Sequence, residues 1–156
     1  MFATRSRRHA LLLALSASLG LAACGGGGSD STPSTDYSPY GWANVTALKI
    51  ADNTLGTGAS AVNGTTATVT YTLYLYDVRV TSTKSTPSLQ TGSFSFKLGN
   101  NEVISGFDTG VNGMKVGGKR TLTIPASLAY GSKGTTDGTI PPNAALVFDV
   151  ELTDVK

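Results

Sequence analysis

The chain has 156 residues, 40% of them hydrophobic and 14% charged, with a formal net charge of +2. That length suits one domain with its own buried core. A single cysteine excludes an intrachain disulfide, so burial alone must stabilise the fold.

In chain order, Arg5, Arg7 and Arg8 precede an apolar run, Leu11 to Leu21, that is short for a bilayer span. The run ends in Leu21-Ala22-Ala23-Cys24, which resembles a bacterial lipobox. Residues 1–23 are therefore expected to be a lipoprotein signal peptide. Cys24 is the expected lipidation site, with a lipid anchor as the membrane contact. The expected location is the bacterial cell envelope, at the outer membrane facing the periplasm, because Gly25 follows the cysteine. Removing residues 1–23 takes away three of the twelve basic residues, no acidic one, and His9, leaving a formal charge of −1. No nucleic-acid partner is then expected. A Ser-His-Asp triad, a Cys-His pair and a usual zinc site lack parts, and no metal or cofactor is expected.

Residues 25–36 are glycine, serine, threonine, aspartate and proline without period, and read as a flexible tether. The tether is assigned to residues 24–41 and the folded domain to residues 42–156. A strand is expected over residues 45–50. Residues 65–80 form the clearest strand: Ala67, Val69, Tyr71, Leu73 and Leu75 alternate with Thr68, Thr70, Thr72, Tyr74 and Tyr76. A polar loop with Pro87 follows. Phe94, Phe96 and Leu98 mark the next strand, turned by Gly99-Asn100-Asn101. Ile104, Phe107, Val111 and Met114 fall on one helical face, with Ser105 and Asp108 at capping-box spacing. Gly106, Gly110 and Gly113 each weaken that helix by about 1 kcal/mol, so packing must hold it. They also permit close approach to a sheet. Residues 119–124 read as a strand stopped by Pro125, and residues 127–130 as one helical turn. Residues 131–143 form a long loop rich in glycine and proline, of a length that is usually functional. Residues 144–155 close the chain as a strand. These elements predict an α+β domain, an antiparallel sheet of five or six strands curled around one short helix.

Tyr71 and Tyr130 stand out as candidate site residues, because a buried phenol needs a partner. Phe94, Phe107 and Phe148 would be core in any β-rich domain. Asp149 and Glu151 read as surface or structural, and no motif places a catalytic pair of carboxylates.

Glu102-Val-Ile-Ser-Gly-Phe107, Gly113-Met-Lys-Val-Gly117, Ala129-Tyr130-Gly131 and Ile140-Pro-Pro-Asn-Ala-Ala-Leu-Val-Phe-Asp-Val-Glu-Leu152, in this order, resemble the FKBP-type peptidyl-prolyl cis-trans isomerases. These immunophilins bind tacrolimus and rapamycin. The resemblance covers about residues 45–155. It implies a half-barrel with a helix across its concave side and a pocket between them. By position, Tyr71, Phe107 and Tyr130 match catalytic residues of the family. Phe94, Val103, Ile104, Ile140 and Phe148 match its substrate-binding residues. It further implies that the tyrosine matched by Tyr130 and the backbone N–H matched by Ile104 each bind a substrate carbonyl. Phe107 stands where many members carry tryptophan. The family's Phe-Asp pair is missing from residues 79–93. Leu89 could supply part of that lost volume, and the role is not transferred to Asp77.

The implied activity is isomerisation of X-Pro bonds in exported proteins, with proline-containing polypeptides as substrates and rapamycin- or tacrolimus-type molecules as ligands. Two alternatives stand beside it: a non-catalytic peptide-binding or chaperone module on the same fold, and a structural envelope lipoprotein.

Overall fold

The structure, a computed structural model, describes residues 38–156. These belong to one compact unit, Thr35–Lys156. The expected leader, Cys24 and the tether up to residue 37 lie outside the described residues.

Five strands form one antiparallel sheet: β1 (Lys49–Thr54), β2 (Thr66–Leu75), β3 (Gln90–Lys97), β4 (Lys119–Ile124) and β5 (Leu146–Val155), in the order β1-β4-β5-β2-β3. The only α-helix among the described residues is α1 (Ser105–Val111). This is the expected architecture, with five strands.

Period-two alternation produces the sheet's two faces. In β2 Ala67, Val69 and Leu73 are buried, whereas Thr70 is exposed. Opposite them on the same face come Phe96 of β3 and Phe148, Val150 and Leu152 of β5, all buried. The registers Leu73↔Phe148 and Ala67↔Phe96 set these side chains beside one another. Burial of such side chains is worth about 1.5–3 kcal/mol each before entropy is counted.

Helix α1 closes the concave side, and Phe107 and Val111 are fully buried under it. It sits against β4 because Gly106 and Gly110 carry no side chain. A Cβ at residue 106 would overlap Ile124 Cγ2, and one at residue 110 would lie 2.5 Å from Leu122 Cδ1. The close approach expected of these glycines is thus met by named partners. The capping box does not form. Ile104, not Ser105, is the N-cap. The Asp108 carboxylate instead accepts the Gly99 N–H at 3.1 Å through either oxygen.

Several element boundaries differ from expectation: β3 starts earlier, at Gln90, α1 ends at Val111 and leaves Met114 outside it, and three further boundaries shift. Val45 is not in a strand; it ends the short 3-10 turn Trp42–Asn44 and is buried, so β1 starts at Lys49. Strand β2 stops at Leu75, because the chain turns at Asp77, whose N–H bonds the Thr83 carbonyl. The tether was expected to run to residue 41, yet Ser38–Tyr40 forms a 3-10 turn and Tyr40 stacks on Trp42 with ring centroids 5.3 Å apart. Residues 38–41 therefore belong to the folded unit. The Trp42 indole N–H donates to the Tyr76 carbonyl at 2.7 Å, and Arg79 lies over the Tyr40 ring at 4.2 Å.

Candidate functional site

Between α1 and the concave face of the sheet lies a cavity of about 350 Å³. Strand β2 contributes Tyr71 and Leu73, β3 Gln90 and Phe94, β5 Phe148, and the segment entering α1 supplies Glu102, Val103, Ile104 and Phe107. Tyr130, just after the short 3-10 turn Ala126–Leu128, completes the wall.

The floor is a cluster of rings. Phe107 meets Phe148, Phe96 and Phe94 with centroids 5.1, 5.7 and 5.8 Å apart. Tyr71 stands edge-on to Phe94 at 5.4 Å and tilted to Phe148 at 6.0 Å. Its ring has room because it faces Gly92 across the β2–β3 ladder, where a Cβ would come within 3.2 Å of Tyr71 Cε1. Offset and edge-to-face contacts of this kind stabilise by about 0.5–1.5 kcal/mol each beyond area burial.

Polar groups at the cavity are few. The Tyr130 residue is 41% exposed, and its hydroxyl makes no hydrogen bond among the described residues. Burial raises its pKa above the ordinary value, and the neighbouring Tyr71 and Asp137 add to the effect. The phenol is therefore a neutral donor at physiological pH. Ile104 has extended backbone angles, φ −57° and ψ 141°. Its carbonyl accepts from Phe107 and Asp108, and its own N–H has no partner among the described residues. Site residues in this arrangement can donate hydrogen bonds to a carbonyl oxygen and surround an apolar ring; none is a nucleophile activated by a base.

Seven of the eight matched residues meet at this cavity: Tyr71, Phe94, Val103, Ile104, Phe107, Tyr130 and Phe148. Ile140 does not. It is buried at 5% exposure, with its N–H on Thr135 Oγ1 and its carbonyl accepting the Thr135 N–H, so it braces the 131–143 loop. Leu89 is packed on the core, and is likewise absent from the lining. Asp77 is buried and held by Arg79 through paired 2.8 Å bonds, away from the cavity. That bond with Arg79 keeps its carboxyl below the ordinary pKa. Leaving the family role untransferred to Asp77 agrees with this placement.

Three lining residues were not anticipated. Leu73 and Gln90 share strand parity with Tyr71 and Phe94 respectively, so alternation carried the signal. Glu102 adjoins Val103, but nothing in its residue type announced a place at the cavity. Larger hollows of about 400 and 680 Å³ lie elsewhere. The first is lined by Lys84 and Asp149, already paired at 2.7 Å, and the second by the 3-10 turns and prolines around Trp42.

A five-stranded antiparallel sheet and one helix enclosing a ring-floored cavity define an apolar-ligand class of α+β domain, and comparison gives that class its family. The family model described as FKBP-type peptidyl-prolyl cis-trans isomerase matches residues 58–153, and the chain belongs to this family. It is 46% identical to FK506-binding protein 4 of Neurospora crassa over 72% of this chain, and 47% identical to FK506-binding protein 4 of Dictyostelium discoideum over 67%. The chain spans only about a quarter of the length of these relatives, 23% and 27%. Among solved structures it is similar to AtFKBP13 (TM-score 0.58, 32% identity, 70% of this chain and 93% of that one). It is also similar to FkpA from Escherichia coli (TM-score 0.59, 36% identity, 71% and 49%).

These relatives correct one expectation. The bacterial-envelope location read from residues 1–24 is overturned: curated relatives from Neurospora crassa, Emericella nidulans and Dictyostelium discoideum are eukaryotic FK506-binding proteins, and one, from Spodoptera frugiperda, is named a nuclear protein. The leader pattern lies outside the matched residues 58–153.

Proposed function

We propose that the domain catalyses cis-trans isomerisation of X-Pro bonds in polypeptides, and that rapamycin- and tacrolimus-type molecules compete for the same cavity. The observation that carries this reading is the conjunction of a Phe107-floored apolar cavity with two uncommitted donors at its wall, the Tyr130 hydroxyl and the Ile104 N–H.

Amide resonance sets a barrier of roughly 18–20 kcal/mol, and X-Pro isomers interconvert in tens to hundreds of seconds. Twisting the bond removes resonance, so the carbonyl becomes less polar. An apolar cavity favours that twisted form over the planar one, which is differential binding of the transition state. The proline ring sits over Phe107, with Tyr71 and Phe94 at its side. Tyr130 and Ile104 hold the flanking carbonyls. No covalent step is required. Proposed clients are unfolded segments with accessible X-Pro bonds.

A protease-coupled assay with a proline tetrapeptide tests the reading: purified domain accelerates the slow phase, and rapamycin abolishes the acceleration. No acceleration together with Phe107-dependent rapamycin binding would select the second reading, a non-catalytic peptide-binding module. That alternative is favoured by one observation, the absence of both Phe and Asp from residues 79–93.

A further inference from the structure

Glu102 lines the cavity, yet its carboxylate is already engaged. Oε2 accepts the Lys97 backbone N–H at 3.0 Å, and Oε1 accepts the Asn100 side-chain amide at 3.4 Å. Lys97 ends β3, and Asn100 lies in the turn that leads to α1. On the other side of Val103 and Ile104, Asp108 of α1 reaches the same turn through the Gly99 N–H. Two carboxylates, six residues apart in sequence, thus grip one tight turn from its two flanks. Gly99 and Asn101 adopt left-handed backbone angles there, φ 79° and 57°, which these two residue types tolerate, and the carboxylates add fixed partners to the turn. What lies between the grips is Val103-Ile104, with the unpaired Ile104 N–H at the cavity wall.

We propose that Glu102 is a positioning residue, whose bond to the Lys97 amide fixes the direction of the Ile104 N–H toward the ligand carbonyl. The inference rests on the proposed isomerase reading and extends it to a residue that touches neither the reacting bond nor its carbonyl. The alternative role for a carboxylate at a cavity rim is direct attraction of a cationic substrate. The two oxygens already hold the Lys97 N–H and the Asn100 amide, so the two roles are separated by substitution.

Reach and charge separate under substitution. Glu102→Gln keeps the reach and an acceptor oxygen but loses the charge. Glu102→Asp keeps the charge but is one methylene short of the Lys97 N–H. Positioning predicts that Glu102→Gln stays within about threefold of wild type in rapamycin affinity and kcat/KM, while Glu102→Asp and Glu102→Ala both fall about fivefold or more, since small misplacement of a binding group is costly. The amide signals of Lys97 and Ile104 in nitrogen-15 spectra should move in the Asp and Ala variants and stay near wild type in Gln, with the melting temperature measured alongside. Should Glu102→Ala fail to fold, the Gln and Asp pair still decides. If Glu102→Asp behaves as wild type and Glu102→Gln is weak, charge acts directly and the proposal is overturned. If all three match wild type in a domain that binds rapamycin, the proposal is overturned and the isomerase reading stands. A wild-type domain that neither binds rapamycin nor accelerates isomerisation overturns the reading itself, and this proposal with it.

Discussion

The ring of Phe107 meets that of Phe148 edge to face, with centroids 5.1 Å apart and planes at 69°. One ring comes from the helix and the other from the central region of the sheet, so this contact joins the two walls of the cavity. Phe107 is 2% exposed and serves as core and floor together. Phe107→Ala should therefore lower stability by about 3–5 kcal/mol and weaken rapamycin binding in the fraction that remains folded. Chemical denaturation followed by calorimetric titration at low temperature measures both. Unchanged rapamycin affinity would remove the cavity from the proposed function.

The approach of α1 to β4 is equally exact. Alanine is worth about 1 kcal/mol over glycine in a helix interior, so Gly110→Ala would stabilise an isolated helix. Here the added methyl meets Leu122 Cδ1 and Cδ2. Overpacking of this kind costs about 1–3 kcal/mol, and the net effect should be a lower melting temperature. A rise would mean that Leu122 yields more easily than its buried position suggests.

Strands β2 and β4 and the single helix were legible in the sequence, because period-two and helical apolar patterns report one-sided burial; the patterns marked Phe94, Phe107 and Phe148 only as core, and the resemblance to a family placed them at a pocket. Three things were not legible. Val45 looks like a strand residue but is buried by a turn, a choice made by tertiary packing around Trp42. Ser105 and Asp108 have the spacing of a cap, but Asp108 finds a better donor in the distant Gly99 N–H. Ile140 sits in a motif associated with the pocket, yet it is buried with its backbone N–H and carbonyl bonded to Thr135, and it does not line the cavity. In each case a partner outside the local pattern outweighed the local signal.

The 131–143 loop owes its shape to hydrogen bonds around Asp137. Bonds from Thr135 and Thr139 depress its pKa to about 2. Its contribution to loop order is therefore present above the unfolded value near 3.8 and lost as pH falls toward about 2. Amide exchange at Thr139 and Ile140 should accelerate in Asp137→Ala at neutral pH, while the global melting temperature changes little because the loop tip is exposed. A large drop in melting temperature would show that the loop supports the core.

Trp42 is the chain's only tryptophan and is 6% exposed, so its fluorescence reports on how residues 38–45 are held to the β2–β3 connection. Arg79 is the link: it pairs with buried Asp77 and covers Tyr40. Arg79→Ala leaves the Asp77 carboxylate buried without its counterion. The melting temperature should fall and acrylamide should quench Trp42 more strongly. Arg79→Lys should recover only part of this, since an ammonium cannot reproduce the paired bonds and the flat stacking. Quenching unchanged in Arg79→Ala would show that Arg79 is not what holds the segment.

Tyr130 gives the sharpest division between binding and folding. Its hydroxyl has no partner among the described residues, so Tyr130→Phe should leave the melting temperature unchanged. Binding should weaken by up to about 1.5 kcal/mol if the phenol donates to a ligand carbonyl, and the isomerisation rate should fall by no more than roughly tenfold, because the apolar surround remains. The phenol's pKa is raised by burial and by Tyr71 and Asp137. A raised value means that the folded state holds this proton more tightly: the associated stability is present below the unfolded pKa near 10 and is lost as pH rises through the folded one. Rapamycin affinity should accordingly be flat from about pH 6 to 9 and decline only at higher pH, and the Tyr130→Phe variant should lack that alkaline decline. An alkaline decline of equal size in the variant would assign it to another group, and equal affinity of the two proteins at pH 7 would show that the Tyr130 hydroxyl does not bind the ligand.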